Sequence, residues 1–239
     1  MTLVQTEPKS IKIWSTNIKR VTIRPNGTEK QIRPTWWTPW ANTLAYYPLT
    51  SETTVNDMSG NNHNLTTSWS WISYDSLWVG LSNSSFFSWS AIIPPAWPFT
   101  INVWAKYTTL NNDGHVIQQF NSSKNRSAIT IWCYNNNWFS RWKGSGDRTV
   151  APITTNQWTN VVYVYTSGTI KFYINGTEYT QSRTINTTTP NYLWVGSWWE
   201  TYGRWYMNWN ISELIIENKV RTDQEIDDYY NLTKWNYWL

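Results

Sequence analysis

Hydrophobic and polar residues alternate along most of this 239-residue chain with the period of two that β-strands require. Turn-forming Gly, Asn, Asp and Pro separate the alternating runs. The pattern predicts strands over Leu44–Leu49, Ser85–Ser88, Phe99–Tyr107, His115–Phe120, Ala128–Tyr134, Trp158–Thr166, Thr169–Ile174, Tyr192–Val195 and Asn210–Glu217. Many short strands with frequent turns predict an all-β sandwich or barrel.

Two local signals add to this pattern. Asn175-Gly176 lies between two predicted strands and is a strong hairpin-turn sequence. Helical periodicity is strongest at Asp223–Tyr230, where Thr222 is the expected N-cap and Glu225 its capping-box partner. The alternating apolar positions predict a two-sided core containing Ile101, Val103, Val162, Val164, Phe172, Ile174, Leu214 and Ile216.

The N-terminal segment differs from the rest in charge. Residues 1–34 carry seven Lys or Arg and two Glu, and they alternate around a predicted turn at Pro25-Asn26-Gly27-Thr28. We therefore expect a basic, strand-rich hairpin arm over 1–34, a linker over 35–41, a sandwich over 42–231 and a tail over 232–239. Arg is not clustered with aromatics in the arm, so nucleic acid is not an expected partner.

Tryptophan is unusually frequent and glycine unusually rare, at 21 and 10 residues. Many tryptophans have small or polar neighbours of the kind that mark turns, as in Asn208-Trp209-Asn210. One interpretation is an aromatic binding surface. The other is a source that reads UGA as glycine, in which case Trp14, Trp36, Trp37, Trp40, Trp69, Trp78, Trp89, Trp97, Trp198, Trp199 and Trp209 are glycine.

The recoding interpretation makes a structural prediction. At such positions the backbone should favour positive φ, or the indole should protrude without packing. Trp104 and Trp158 are expected to be true core tryptophans, and Trp138 and Trp194 are also kept as tryptophan.

Other sequence features limit the classes of function. The chain has no run of about 18 apolar residues, so a membrane span is not expected, and the N-terminus lacks a signal-peptide pattern. Cys133 is the single cysteine, which excludes an internal disulfide framework. His63 and His115 have no second ligand at zinc spacing.

Five segments in order resemble the laminin-G-like, concanavalin A-like jelly-roll family. They are "LAYYPLTSETTVNDMSGNNHNLT" from Leu44, "PFTINVWAKY" from Pro98, "NQWTNVVYVYTSGTIKFYINGTEY" from Asn156, "YLWVGS" from Tyr192 and "NWNISELIIENKVRTDQEI" from Asn208. The resemblance covers about 42–231 and implies a two-sheet antiparallel jelly roll.

The same fold also hosts glucanases, which need two carboxylates about 5–5.5 Å apart in retaining enzymes. Glu213 and Glu217 are four residues apart on a predicted strand, about 13 Å by strand rise. We therefore expect no enzyme activity, and a structural role for Glu213.

The resemblance also implies a structural calcium ion. Asp57, in the oxygen-rich loop "NDMSGNNHN", is a candidate ligand together with Glu213. The alternative is an Asx-turn in which Asp57 bonds its own backbone near Ser59-Gly60.

Polar and aromatic residues in the expected variable loops are candidates for ligand binding, because rings stack on sugars while amides and carboxylates bond their hydroxyls. The candidates are Asp113, Tyr134, Asn136, Trp138, Arg141, Asp147 and Tyr202. We expect a non-catalytic adhesion module that binds a glycan or a surface protein. The alternative is a structural component of a virion or surface fibre. Either function implies an extracellular or virion-surface location, and a hydrolase or lyase is disfavoured.

Overall fold

The computed structural model describes residues 22–23, 30–31, 41–49, 56–68, 72–74, 78–81, 86–93, 97–108, 114–120, 129–134, 136–142, 146–166, 168–182, 192–196 and 209–237. The chain divides into two compact units, residues 1–38 and 39–239. In the first unit, Thr22–Ile23 (β1) pairs antiparallel with Lys30–Gln31 (β2). This is the short N-terminal hairpin that the alternation predicts.

The second unit is a sandwich of two antiparallel sheets. Its strands are Thr43–Tyr47 (β3), Thr66–Ser68 (β4), Ile72–Tyr74 (β5), Val79–Leu81 (β6), Phe86–Ser90 (β7), Phe99–Tyr107 (β8), Gly114–Phe120 (β9), Ile129–Tyr134 (β10), Asn137–Trp142 (β11), Gly146–Pro152 (β12), Trp158–Thr166 (β13), Thr169–Ile174 (β14), Thr177–Ser182 (β15), Tyr192–Val195 (β16) and Trp209–Glu217 (β17). The predicted all-β jelly-roll class is confirmed.

The strand order defines the two layers. Among the described residues, one sheet has seven strands in the order β12-β11-β10-β9-β16-β7-β4. The other has the order β15-β14-β13-β8-β17-β6-β5, with β3 pairing the second half of β17. Asn175 and Gly176 join β14 to β15 with φ of 51° and 80°, as the predicted hairpin turn requires.

The helix begins where the sequence predicts. Helix α1 spans Asp223–Thr233, and Thr222 and Glu225 form the expected capping box. A 3₁₀ helix, Lys234–Tyr237, follows directly, and Tyr237 is buried. This end of the predicted tail therefore belongs to the folded body. No helix among the described residues has the length and apolar content needed to cross a bilayer.

Apolar side chains from both sheets fill the space between them. Ile101, Val103, Phe172, Ile174, Leu214 and Ile216 belong to this core as predicted. Val162 and Val164 do not, because they pack with Tyr173 and Ile226 beneath α1. Alternation alone could not assign them, since both faces of this sheet are covered.

The two tryptophans predicted to be core residues are buried, also on the α1 side. The Trp104 ring stacks on Tyr237 at 4.1 Å, and its Nε1 donates to the Thr233 hydroxyl at 3.2 Å. The Trp158 ring lies 4.9 Å from the same tyrosine. Both tryptophans therefore attach the C-terminal helices to the sheet.

Trp209 contradicts the structural signature expected of a recoded glycine. Its side chain is 1% exposed, its φ is not positive, and its ring lies 4.7 Å from Tyr107 and 5.9 Å from Trp138. The prediction failed because the cross-strand register places Trp209 in the core-facing phase of β17 with Ile211. Trp97, at 58% exposed, shows the expected protrusion.

The other suspected positions are divided. Trp89 is half-buried and packs against the core, and Trp78 is half-buried. Trp14, Trp36, Trp37, Trp40, Trp69, Trp198 and Trp199 lie outside the described residues. Recoding itself stays a prediction.

Candidate functional site

The seven-stranded sheet has one face toward the core and one away from it. Core positions of neighbouring strands pair in register, as in the row Phe87, Val195, Ile117 and Ile131. The residues adjacent to these core positions along each strand point to the other face and form a second row. That row consists of Ser88, Trp194, Gln118 and Thr130. The second row therefore belongs to the outer face of the sandwich.

Four aromatic residues form a continuous cluster on this outer face, which we call the outer aromatic face: Phe86, Phe120, Tyr192 and Trp194. The Trp194 ring lies 4.7 Å from Phe86 and 4.6 Å from Phe120, the latter edge-on. Tyr192 lies 5.5 Å from Phe120 and is 45% exposed. Phe86 and Trp194 are half-buried and Phe120 is buried, so Tyr192 is the exposed edge of the cluster and its ring is the candidate contact for a ligand.

Gln118 supplies a polar group beside these rings. It pairs in register with Trp194, and its side chain is only 2% exposed. Its Oε1 atom is buried and has no hydrogen-bond partner among the described residues. Leaving such an acceptor unsatisfied costs about 1–3 kcal/mol, so it calls for a functional or structural explanation. The acceptor lies beneath the surface, beside the half-buried Trp194 ring.

A second aromatic group lies on the same face, toward β11. The Trp132 ring stacks on His115 at 5.4 Å and meets Phe139 edge-on at 5.6 Å. His115 and Trp132 are buried, whereas Phe139 is half-buried. The rings of β9, β10 and β11 thereby extend the aromatic character of the face across the sheet.

The predicted ligand residues other than Trp138 fall into three groups. Tyr134, Arg141 and Asp147 lie on strands rather than loops, and the backbone register of β11 and β12 places Arg141 opposite Asp147. Asn136 is exposed in the β10–β11 turn with φ of 62°. Asp113 and Tyr202 lie outside the described residues.

Trp138 is a correction to the predicted ligand set. It is fully buried in the core opposite Cys133, so its ring cannot stack on a ligand at the surface. The expected loop in this region is a pair of strands, β11 and β12. These strands were not predicted from the sequence because polar residues, including Arg, interrupt the alternation of apolar positions.

The carboxylate of Asp57 is saturated by protein donors. Its Oδ1 atom accepts from the backbone N–H groups of Tyr46 and Ser59, each at 2.9 Å. Its Oδ2 atom accepts from the Ser59 hydroxyl at 2.8 Å and the His63 N–H at 3.1 Å. A carboxylate has about four lone-pair sites, and four donors occupy them here. The Asx-turn alternative is therefore the one present.

Glu213, the other candidate calcium ligand, is also engaged. It lies at a bulge of β17 with φ of 50° and accepts from the Tyr229 hydroxyl at 2.9 Å. The described residues contain no group of three or more His, Cys, Asp or Glu that could hold a metal ion. The residues present do not fit a calcium site at Asp57 and Glu213.

Glu217 is buried in an ion pair with Arg221. Burial raises the pKa of Glu217, and the neighbouring guanidinium opposes that shift. Arg221 also lies over the Tyr229 ring at 5.2 Å. Glu213 and Glu217 thus both serve the junction between β17 and α1, a structural role.

The outer aromatic face was missed in the sequence, although one signal could have indicated it. The run Tyr192-Leu193-Trp194-Val195 is apolar in both phases, so its strand has two apolar faces. Leu193 and Val195 fill the core, which leaves Tyr192 and Trp194 for the outside. The contribution of Phe86 and Phe120 depends on strand register and has no local signal.

A family model described as the concanavalin A-like lectin/glucanases superfamily matches residues 81–227. Comparison with curated protein sequences found no match.

Solved structures share the fold at low sequence identity. A Trypanosoma rangeli sialidase in complex with sialic acid has a TM-score of 0.67 and 10% identity, covering 89% of this chain and 35% of the sialidase. The binding domain of botulinum neurotoxin DC, in complex with SialylT, has a TM-score of 0.64 and 16% identity. A structure of botulinum neurotoxin type C, whose cell entry depends on two ganglioside molecules, has a TM-score of 0.63 and 16% identity. For both toxins the match covers 80% of this chain and 51% of the toxin chain. The chain thus spans about a third of the sialidase and half of the toxin chains.

Proposed function

The chain belongs to the concanavalin A-like lectin/glucanases superfamily, and we propose that it is a non-catalytic module that binds glycans through the outer aromatic face. The fold alone does not determine a function, so the proposal rests on the site. A surface location, outside a cell or on a virion, is part of the proposal.

The observation that carries it is the position of the buried Gln118 acceptor beside the Trp194 ring. Aromatic rings bury the apolar faces of a sugar, while a few fixed polar groups bond its hydroxyls. The half-exposed Tyr192 ring gives a ligand access to this cluster. A glycan hydroxyl that donates to Gln118 Oε1 would supply the hydrogen bond that this atom lacks within the described part of the chain.

Relatives with the same fold support a glycan as the ligand class. The neurotoxin structures concern SialylT and gangliosides, and the sialidase structure contains sialic acid. At 10–16% identity these proteins carry no residue-level argument. They show that this fold is used by proteins that contact sialylated sugars.

The carboxylates support binding without turnover. Glu213 and Glu217 on β17 are engaged by Tyr229 and Arg221, and neither belongs to the outer aromatic face. Glycoside hydrolysis by the usual route needs two carboxyl groups flanking the scissile bond.

A glycan array probed with the wild-type chain and three variants tests the proposal. Tyr192→Ala removes the exposed ring, and Gln118→Leu removes the acceptor while filling a similar volume. Trp235→Ala is the control, because Trp235 is 50% exposed on the 3₁₀ helix, away from the outer aromatic face.

The first two variants should weaken retention of the bound glycan by about fivefold or more, since a ring contact or hydrogen bond is worth about 1 kcal/mol or more. Gln118→Leu should keep or raise stability, because it removes a buried unsatisfied group. Retention by both variants at the wild-type level would contradict the proposal.

A further inference from the structure

A row of mostly polar residues crosses the other sheet on its outer face. Neighbouring strands pair its members in register, in the order Ser73, Gly80, Asn210, Lys106 and Trp158. We call this set the basic row. Strands lie about 4.8 Å apart, so the row runs for about 14 Å from Ser73 to Lys106. Ser73 is exposed, and Asn210 and Lys106 are half-buried, so the row reaches the surface.

Lys106 lies between two indole rings. Its Nζ atom is 5.3 Å from the centre of the Trp158 ring and 5.5 Å from that of Trp78. Cation–π contacts of this kind fix the position of an ammonium group but leave its N–H donors for other partners. The side-chain oxygen of Asn210 accepts one of them at 3.1 Å, in the amide orientation that also bonds the Trp209 carbonyl.

Lys106 has no acidic partner within ion-pair distance among the described residues, unlike two other lysines. Lys171 pairs with Glu178 and Asp223, and Lys219 pairs with Glu225. Two rings and an amide hold this half-buried ammonium group in place, and no carboxylate among the described residues neutralises it. Its remaining N–H donors can therefore bind an external anion.

Gly80 provides the space that the Ser73 end of the basic row requires. A Cβ atom at this position would lie 2.3 Å from the Ser73 hydroxyl oxygen and 3.0 Å from the Trp78 ring. Glycine therefore lets a hydroxyl and an indole approach the sheet next to Asn210. The row combines one cation, an amide, a hydroxyl and aromatic faces within one surface.

We infer that the basic row is a binding site for a sugar that carries a carboxylate, such as a sialic or uronic acid residue. Lys106 bonds the carboxylate, Asn210 and Ser73 bond hydroxyls, and the indole edges pack against the ring. The residues of the basic row are separate from those of the outer aromatic face. The inference therefore does not depend on the proposed function.

Titration with sialyllactose at low salt tests the inference. The carboxyl methyl ester of the same sugar is the control, because it has the same shape without the negative charge. The acid should bind and the ester should bind at least about tenfold more weakly, since a hydrogen bond to a charged group is worth about 1.5–3 kcal/mol. Affinity for the acid should fall as salt is raised.

Lys106→Met keeps the apolar stem and removes the charge, and Asn210→Asp supplies an internal carboxylate that neutralises Lys106. Each should weaken sialyllactose binding about tenfold or more. Lys234→Met is the matched control, because Lys234 also lies 5.3 Å from two ring centres but outside the row. Its binding should equal that of the wild type.

Three results would overturn the inference: equal affinity for acid and ester, wild-type affinity in both Lys106→Met and Asn210→Asp, or equal competition by acetate. Binding that Tyr192→Ala abolishes and Lys106→Met leaves intact would also overturn it, while supporting the outer aromatic face. Near-ultraviolet circular dichroism verifies that each variant is folded, and Asn210→Asp preserves side-chain size if Lys106→Met does not fold.

Discussion

The hydroxyl of Tyr229 on α1 donates a 2.9 Å hydrogen bond to the carboxylate of Glu213, at the residue where β17 takes left-handed backbone. Both side chains are buried. A non-glycine residue at positive φ persists where its surroundings determine its position. This bond therefore joins the C-terminal helix to the bulge of the central strand.

Tyr229→Phe should lower the free energy of unfolding by about 1–3 kcal/mol, because it leaves a buried carboxylate oxygen without this donor. Urea unfolding followed by tryptophan fluorescence measures the change. Tyr230→Phe is the control, since Tyr230 is half-buried and its hydroxyl has no hydrogen bond within the described part of the chain. Equal stability of the two variants would contradict the structural role of the pair.

Glu213→Gln should leave glycan binding unchanged, because Glu213 serves the strand–helix junction and not the outer aromatic face. The array and the sialyllactose titration measure this directly. Turnover of a polysaccharide that Glu213→Gln abolishes would show that a catalytic carboxylate had been mistaken for a structural one.

The start of α1 predicts a pH-dependent contribution to stability. The Tyr173 hydroxyl donates to Asp223 at 2.6 Å and the Lys171 ammonium lies at 3.2 Å, and these contacts lower the pKa of Asp223 below its ordinary 3.8. Because the pKa is lower in the folded state, the stabilisation is present above the ordinary value. It is lost as pH falls through the folded-state pKa.

Tyr173→Phe should therefore be less stable than the wild type at neutral pH, and the difference should shrink as pH falls below 3.8. Urea unfolding at a series of pH values measures it. In an Asp223→Asn background the Tyr173→Phe difference should lose this pH dependence. A difference that stays constant with pH in the wild-type background would contradict the assignment to Asp223.

Trp209 and Trp97 form a matched pair for the tryptophan question. Trp209→Gly should destabilise by about 3–5 kcal/mol, because it empties a packed core site between Tyr107 and Trp138. Trp97→Gly should stay within about 0.5 kcal/mol and raise solubility, because that indole is 58% exposed. Peptide mass spectrometry of the native protein then determines the residue mass at both positions. Recoding predicts a glycine residue mass at Trp97, whereas the packing predicts a tryptophan mass at Trp209.

Local signals were sufficient for much of the fold. The capping box at Thr222 and Glu225 and the turn at Asn175-Gly176 depend on residues adjacent in the chain. The long alternating runs of β8 and β13 gave their bounds correctly. Short polar strands such as β5 and β12 carry too few apolar positions to show a period.

The sites depend on register, which the sequence does not display. Trp209 has turn-like neighbours, yet pairing with Tyr107 places it in the core. Lys106, Asn210 and Ser73 come from distant parts of the chain and meet only through strand pairing. Candidate ligand residues chosen as loop residues were therefore placed on strands, and in the case of Trp138 in the core.

Saturation-transfer difference NMR with the glycan that the array retains tests the central claim most directly, because it reports binding and turnover together. Irradiation of protein aromatic protons should transfer magnetisation to the sugar C–H protons, and the signal should be lost in Tyr192→Ala. The sugar spectrum should stay unchanged during prolonged incubation. Absence of transfer, transfer that survives in both Tyr192→Ala and Gln118→Leu, or the growth of a new reducing-end signal would contradict a glycan-binding module without catalysis.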